Sequence, residues 1–313
     1  MRGGASDRLR HVQALASGVN ERALTWVLEH LAAFHPDHPH VSDHQLRIKP
    51  FIELVFVLNP MLRLGLHHGD ARLQVLQDFI RQTFASYDFA AFAQQDPAGL
   101  IVFALRDEFL RLSNDPAADD GLLEKFMRTG LPEMVSYSRS PYRIMDLHYT
   151  LDRARLHHDP GRYLQVLPDT VLGRGKPVVQ CSDHDLYSIT HTLFYLADLG
   201  AWPLTQIWPD TAPLQERLTA ALGMSLRQSN ADLAGEFLMC LGFLGAQADP
   251  AAELAWTVLA GQQLPGGGMP APSYRSERDT DPQDEYQFVQ CYHTTLVMLG
   301  AALPLLAPAQ EVA

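Results

Sequence analysis

Two stretches of the 313-residue chain carry ionisable and nucleophilic groups where a helix built only for packing would carry aliphatic ones. The first, CSDHDLYSITHTLFYLADLG, opens with Cys181, Asp183, His184 and Asp185 and presents His191 further along. The second, QCYHTTLVMLGAAL, opens with Cys291, Tyr292 and His293. Imidazole, carboxylate and thiolate together can hold zinc, which at a catalytic site takes three protein ligands and leaves a position open. Without a metal the same groups serve as general acids and bases. A carboxyl in an apolar setting has its pKa raised and can protonate a substrate.

Ser182 followed by Asp185 reads as a capping box, with acids favoured at the positive end of the helix dipole, and this alone accounts for Asp183 and Asp185. Beyond it His184, Tyr187, Ser188 and His191 fall at i, i+3, i+4 and i+7 on one face. Cys291 and His293 are two residues apart and point in different directions; Cys291 reads equally well as a small buried hydrophobe. Three more segments offer candidates. SPYRIMDLHYTLDRARL spaces Tyr142, Asp146, Tyr149 and Arg153 along one stripe, SNADLAGEFLMC spaces Asp232, Glu236 and Cys240 at steps of four, and Glu53 interrupts the apolar KPFIELVFVL. Each alone is ordinary helix chemistry; a shared end would make them a site. With a metal, His184, His191 and His293 are the expected ligands together with one aspartate. Without one, Asp185 or Glu236 is the expected general acid, with Tyr187 or Tyr292 as an orienting donor and Asp183 beside them.

Local motifs are absent: there is no HExxH, paired CxxC, GxSxG or dinucleotide fingerprint, so no nucleotide cofactor is expected. HPDHPHVSDH holds four of the fourteen histidines but lacks regular ligand spacing and reads as a loop. PGGGMP lacks the Gly-Lys-Ser/Thr that would make it a phosphate loop.

Apolar residues recur at helical spacing nearly everywhere. Helices are expected at 21–34, 49–66, 72–86, 97–113, 119–128, 140–157, 160–170, 183–199, 213–226, 230–246, 251–262 and 286–306. The helices near 49, 97, 140, 183, 230 and 286 are the more apolar, and the intervening ones are more amphipathic, as in ARLQVLQDFIRQTF. That alternation fits an all-α fold, an α/α toroid of about six helical hairpins whose apolar helices form an inner ring and whose polar ends meet at one mouth. An open solenoid of helix pairs is the alternative. Residues 1–313 are read as a single domain, with 1–20 as an N-terminal extension.

The formal net charge of −12 with scattered basic residues gives no nucleic-acid footprint. No uninterrupted apolar run reaches the length of a bilayer span, the N-terminus lacks an apolar signal core, and three widely spaced cysteines make no disulfide framework. A cytoplasmic protein without membrane insertion is expected.

GGGMPAPS followed by QCYHTTLVMLGAAL resembles the last hairpin of α/α-toroid enzymes, above all protein prenyltransferase β subunits. In those a Gly-Gly turn and a proline precede a helix opening Tyr-His-Thr, whose histidine ligates catalytic zinc. The match covers about 45 residues and implies such a role for His293. Terpene and lanthionine cyclases share the toroid. The prenyltransferase Asp-x-Cys pair has no counterpart here: Asp183-x-Asp185 stands in the comparable place and Cys181 precedes it. A toroid of this kind would normally work with a helical companion subunit. HDLYSITHTLFYLADLG also resembles a segment of an uncharacterised bacterial family. The expected activity is that of a biosynthetic enzyme acting on a small apolar or peptide-derived substrate, with zinc as the possible cofactor; the alternative is a non-catalytic ligand-binding or scaffold protein.

Overall fold

Caps and first-turn prolines set the helix starts in the computed structural model, which describes residues 2–38, 44–67, 69–91, 99–119, 121–128, 140–279 and 285–306. The helices are α1 (Arg2–Glu29), α2 (His44–Arg63), α3 (Ala71–Ser86), α4 (Gly99–Leu112), α5 (Leu122–Met127) and α6 (Pro141–Arg153). They continue with α7 (Pro160–Val166), α8 (Asp183–Leu196), α9 (Ala212–Arg227), α10 (Ala231–Phe243), α11 (Pro250–Gln262) and α12 (Tyr286–Leu306). No strand occurs among the described residues. The fold is all-α, as the periodicity implied.

Asp159, Asn230 and Asp249 each accept a hydrogen bond from a first-turn amide of the helix they precede, and Pro160 and Pro250 sit at the first helical positions. α8 begins with the expected capping box: Ser182 N donates to Asp185 Oδ2 at 2.8 Å, and Asp185 N donates to Ser182 Oγ at 3.3 Å.

The even-numbered helices touch one another in chain order: α2 on α4, α4 on α6, α6 on α8, α8 on α10 and α10 on α12. The last then packs on the first, α12 on α2. The odd-numbered helices lie against them, α1 on α12, α3 on α2 through the Phe84 and Phe51 rings, α5 on α4, α7 on α6 and α8, and α9 and α11 on α10. Residues 231–242 of α10 are all buried, as befits a helix apolar on every side. It lies close to α12 because Gly242 has no side chain; a Cβ there would stand 2.5 Å from the ring of Pro304.

α1 departs from expectation. It starts at Arg2, not at 21, so the segment expected as an extension is helical and packed. Val12, Ala16, Val19, Ala23 and Trp26 form its buried stripe against α11 and α12. The stripe is built mainly of small residues, and Ser17-Gly18 reads as a break, so its periodicity is faint in the sequence. The glycines of PGGGMP belong to this contact. Gly267 has φ +95°, and a Cβ on it would collide with the Arg22 carbonyl. Met269 N donates to Thr295 Oγ1 at 2.8 Å, fastening the same loop to α12.

At one end of the even-numbered helices a buried ion-pair network joins the C-terminal parts of α2, α4, α6 and α8. Glu108 Oε1 of α4 lies 3.2 Å from Arg63 of α2 and 2.9 Å from Arg153 of α6. Asp198, just past α8, lies 3.1 Å from Arg63 and 3.5 Å from Arg153, and accepts from Tyr149 Oη at 2.9 Å. Asp198 and Leu199 hold the left-handed conformation, with φ of 47° and 50°. That conformation is costly without glycine, and the ion pairs hold it in place. Tyr149 and Arg153 therefore part company with Tyr142 and Asp146: eleven residues of helix span about 16 Å, and one stripe reaches both ends.

Among the described residues α12 alone is long and apolar enough to cross a bilayer by length and composition; 61% of that window is buried within the fold.

Candidate functional site

At the opposite end, side chains from the N-terminal and middle turns of the even-numbered helices surround a cavity of about 940 Å³. α2 contributes Glu53, α6 Tyr142, Arg143 and Asp146, α8 His184, Tyr187 and His191, α10 Asp232 and Glu236, and α12 His293. Further in, the wall is apolar: Phe56, Val57, Leu105, Met239, Leu296 and Leu303.

His293 occupies the centre of the polar part. Its Nδ1 lies 2.7 Å from Glu53 Oε2 and its Nε2 3.3 Å from Asp232 Oδ1. Burial works against a charged imidazole, but the two carboxylates outweigh it and hold the His293 pKa well above the ordinary value. Burial likewise pushes Glu53 and Asp232 upward, and the His293 charge reverses that push, helped by the hydrogen bonds of His293 to Glu53 and of Tyr187 to Asp232, leaving both below the usual carboxylate range. Lys49, 3.5 Å from Glu53, adds to the effect there. Tyr187 Oη donates to Asp232 Oδ2 at 2.5 Å, and burial together with that carboxylate keeps the phenol protonated. Asp232 Oδ1 is buried and receives no hydrogen bond, since His293 Nε2 approaches it outside hydrogen-bond geometry.

Glu236 is one helical turn beyond Asp232 and 3% exposed. Burial, then the neighbouring Asp232 charge, push its carboxyl up to about 8, so it is a protonated acid at neutral pH. Thr190 Oγ1 of α8 contacts Glu236 Oε2 at 2.5 Å. His191 is the reverse case: burial, then the Arg143 charge, push its pKa down to about 4. Its Nδ1 lies 2.9 Å from the Tyr187 carbonyl, which can only accept, so Nδ1 carries the proton and Nε2 the lone pair. A carboxyl kept protonated and an imidazole kept neutral thus face one cavity with an ionised Glu53–His293–Asp232 chain.

The residues singled out in the sequence divide. His184, Tyr187, His191, Glu236 and His293 all line the cavity, as do Glu53, Tyr142, Asp146 and Asp232. His184 is exposed at the mouth, with its ring 5.7 Å from that of Tyr142. Asp183 is exposed and is not among the lining residues. Asp185 stays outside as well; hydrogen bonds from Lys176 and Ser182 hold its pKa far below the usual carboxylate range, so it caps α8 and is not an acid. Tyr292 packs on Phe288, with ring centroids 5.4 Å apart, and faces away from the cavity. Cys181, Cys240 and Cys291 are separate free thiols outside the lining. Burial raises Cys291 to about 12. The histidine-rich stretch after His35 lies partly outside the described residues; within it His38 pairs with Glu285 at 3.0 Å.

Two contributors to the site went unnoticed in the sequence. Arg143 stands beside a residue already singled out, and its charge adds to burial in keeping His191 neutral. Thr190 offers no local signal, because its role depends on α10. Of the Arg63–Glu108–Arg153–Asp198 network at the other end, Arg153 was singled out in the Tyr142 stripe, and the rest was visible only as charges in and beside apolar helices.

For a metal, the ligand atoms that lie together among the described residues are those of Asp232, Glu236 and His293, all within 4.8 Å of one another. His184 and His191 are not in that group.

No curated protein matches the chain, and no solved structure does. A family model described as Domain of unknown function (DUF6895) matches residues 20–303, a span that contains every cavity residue named above. With that share of its length matched, the chain belongs to the DUF6895 family.

Proposed function

We propose that the chain is an α/α toroid of six helical hairpins and that its cavity is the active site of an enzyme acting on a small, largely apolar molecule. The toroid reading rests on the order of contacts, in which the even-numbered helices follow one another and return from α12 to α2 while the odd-numbered ones lie against them. The catalytic reading rests on Glu236. A buried carboxyl raised to about 8 on the wall of a mostly apolar cavity is poised to give a proton at neutral pH. Glu236 is the general acid, the neutral Nε2 of His191 is a base, and Tyr187 and His293 hold the Asp232 carboxylate beside them.

A metal-assisted version of this reading draws on one observation, the buried Asp232 Oδ1 that receives no hydrogen bond. Asp232, Glu236 and His293 suit a divalent ion in composition, and Glu53 on His293 Nδ1 is the orienting carboxylate that metal-bound histidines commonly have. A bound zinc ion would polarise a carbonyl or activate water. In the metal-free protein the proton on His293 Nε2 holds that place, so ion and proton compete for it.

The test compares wild type with Glu236→Gln, incubated with extracts of the source organism and followed by untargeted mass spectrometry, with metal content measured on untagged protein. Compounds consumed by wild type and spared by the variant support the enzyme. An extract left unchanged by wild type rejects catalysis and favours a ligand-binding protein. About one zinc per chain, lost in His293→Ala, selects the metal-assisted version.

A further inference from the structure

We infer that the ligand carries a slender apolar group that passes Glu236 into the lower half of the cavity, and that Met239 and Gly300 decide which groups pass. The inference deepens the proposed function and rests on its cavity being the ligand site.

The polar and the apolar lining occupy different depths. On α10 Met239 follows Glu236 about 4.5 Å further along the axis, and on α12 Gly300 follows His293 by about 10 Å. The lining at and beyond this level includes Phe56, Val57, Leu105, Leu199 and Leu303. Leu199 adjoins Asp198 of the buried ion-pair network, so the apolar space lies between the polar groups and that network.

Met239 and Gly300 meet where α10 packs on α12. A Cβ on Gly300 would stand 2.7 Å from Met239 Cε and 3.7 Å from its Sδ, so the thioether lies in a recess that the missing side chain leaves. Gly300 has no positive φ, so glycine supplies room there and not a special backbone conformation. The reciprocal seat, Met298 on Gly235, lies outside the cavity lining and is a packing contact. The Met239 seat differs because both partners line the cavity. A methyl group on Gly300 would push the flexible thioether out of its recess, and the open side is the lumen. The recess thus keeps the path from Glu236 to Leu303 clear.

The experiment is calorimetric titration of the full chain with 1-hexanol, 1-octanol and 1-decanol, neutral probes that differ only in apolar length. In wild type each added methylene that is buried should tighten binding about fourfold. In Gly300→Ala that rise should flatten, leaving 1-decanol about tenfold or more weaker than in wild type. Gly300→Ala combined with Met239→Ala should recover the rise, because the displaced side chain is gone; recovery also shows that the altered α12 folds. Met239→Phe narrows the same path from α10 with Gly300 intact, and should give the same flat profile if Gly300→Ala does not fold. A rise that persists in Gly300→Ala overturns the role of the pair and leaves the apolar ligand site standing. So does a flat profile that Met239→Ala does not relieve, or a wild type that gains nothing from length. Failure of all three probes to bind wild type overturns both the inference and the ligand site.

Discussion

The imidazole of His293 and the carboxylate of Glu53 meet 2.7 Å apart although 240 positions separate them in sequence. The pair ties α12 to α2, the last helix to the earliest one in the cavity wall. It also sets the charges nearby, since the same imidazole faces Asp232 with its other nitrogen.

Replacing His293 by glutamine leaves Glu53 and Asp232 without their shared cation. Breaking a buried pair costs about 3–5 kcal/mol. His293 has 37% of its side chain exposed, and solvent screening lowers the expected loss to about 1–3 kcal/mol. Urea unfolding at neutral pH measures it. An unchanged midpoint would show that the ion pair contributes nothing.

Glu236 makes stability depend on pH. Its folded pKa lies above the unfolded value, so the native state holds a proton that the unfolded state releases. The resulting stabilisation is complete below the unfolded value of 4.5 and falls away as pH rises toward about 8. Glu236→Gln has no such proton. Wild type should therefore lose stability relative to the variant between these limits, and melting temperatures of both across that range check it. Parallel curves would mean that Glu236 is ionised in the folded protein.

The Arg63–Glu108–Arg153–Asp198 network should be the most sensitive ionic feature. Glu108 is 3% exposed and its Oε1 faces both arginines. Glu108→Gln removes the charge both answer to and should cost about 3–5 kcal/mol. Glu108→Gln combined with Arg153→Met should recover part of that loss, because fewer buried charges are left unpaired. Denaturant midpoints of the three proteins decide it.

Gly242→Ala probes the close contact between α10 and α12. A methyl group 2.5 Å from the rigid Pro304 ring forces α10 and α12 apart. The expected cost is about 1–3 kcal/mol, read from the melting temperature. Gly223→Ala, on α9 with nothing near its Cβ position, is the control and should be neutral or slightly stabilising.

Most of the helices, though not the first half of α1, and much of the polar inventory were legible without the fold. Apolar spacing and caps are local properties, so α8 with its Ser182–Asp185 box and α12 over Tyr286–Leu306 lie where expected. The face shared by His184, Tyr187 and His191 was equally legible, because helical geometry alone aligns it. Tertiary structure decided what those groups became. Glu236 and Asp185 are both acids on helices, yet one is raised by burial beside Asp232 and the other lowered by Lys176 and Ser182. His191 and His293 are both cavity histidines, yet one is neutral near Arg143 and the other charged between Glu53 and Asp232. The physical reason is that ionisation depends on desolvation and on charges within a few ångströms. Those neighbours come from helices far apart in the chain, and only packing brings them together.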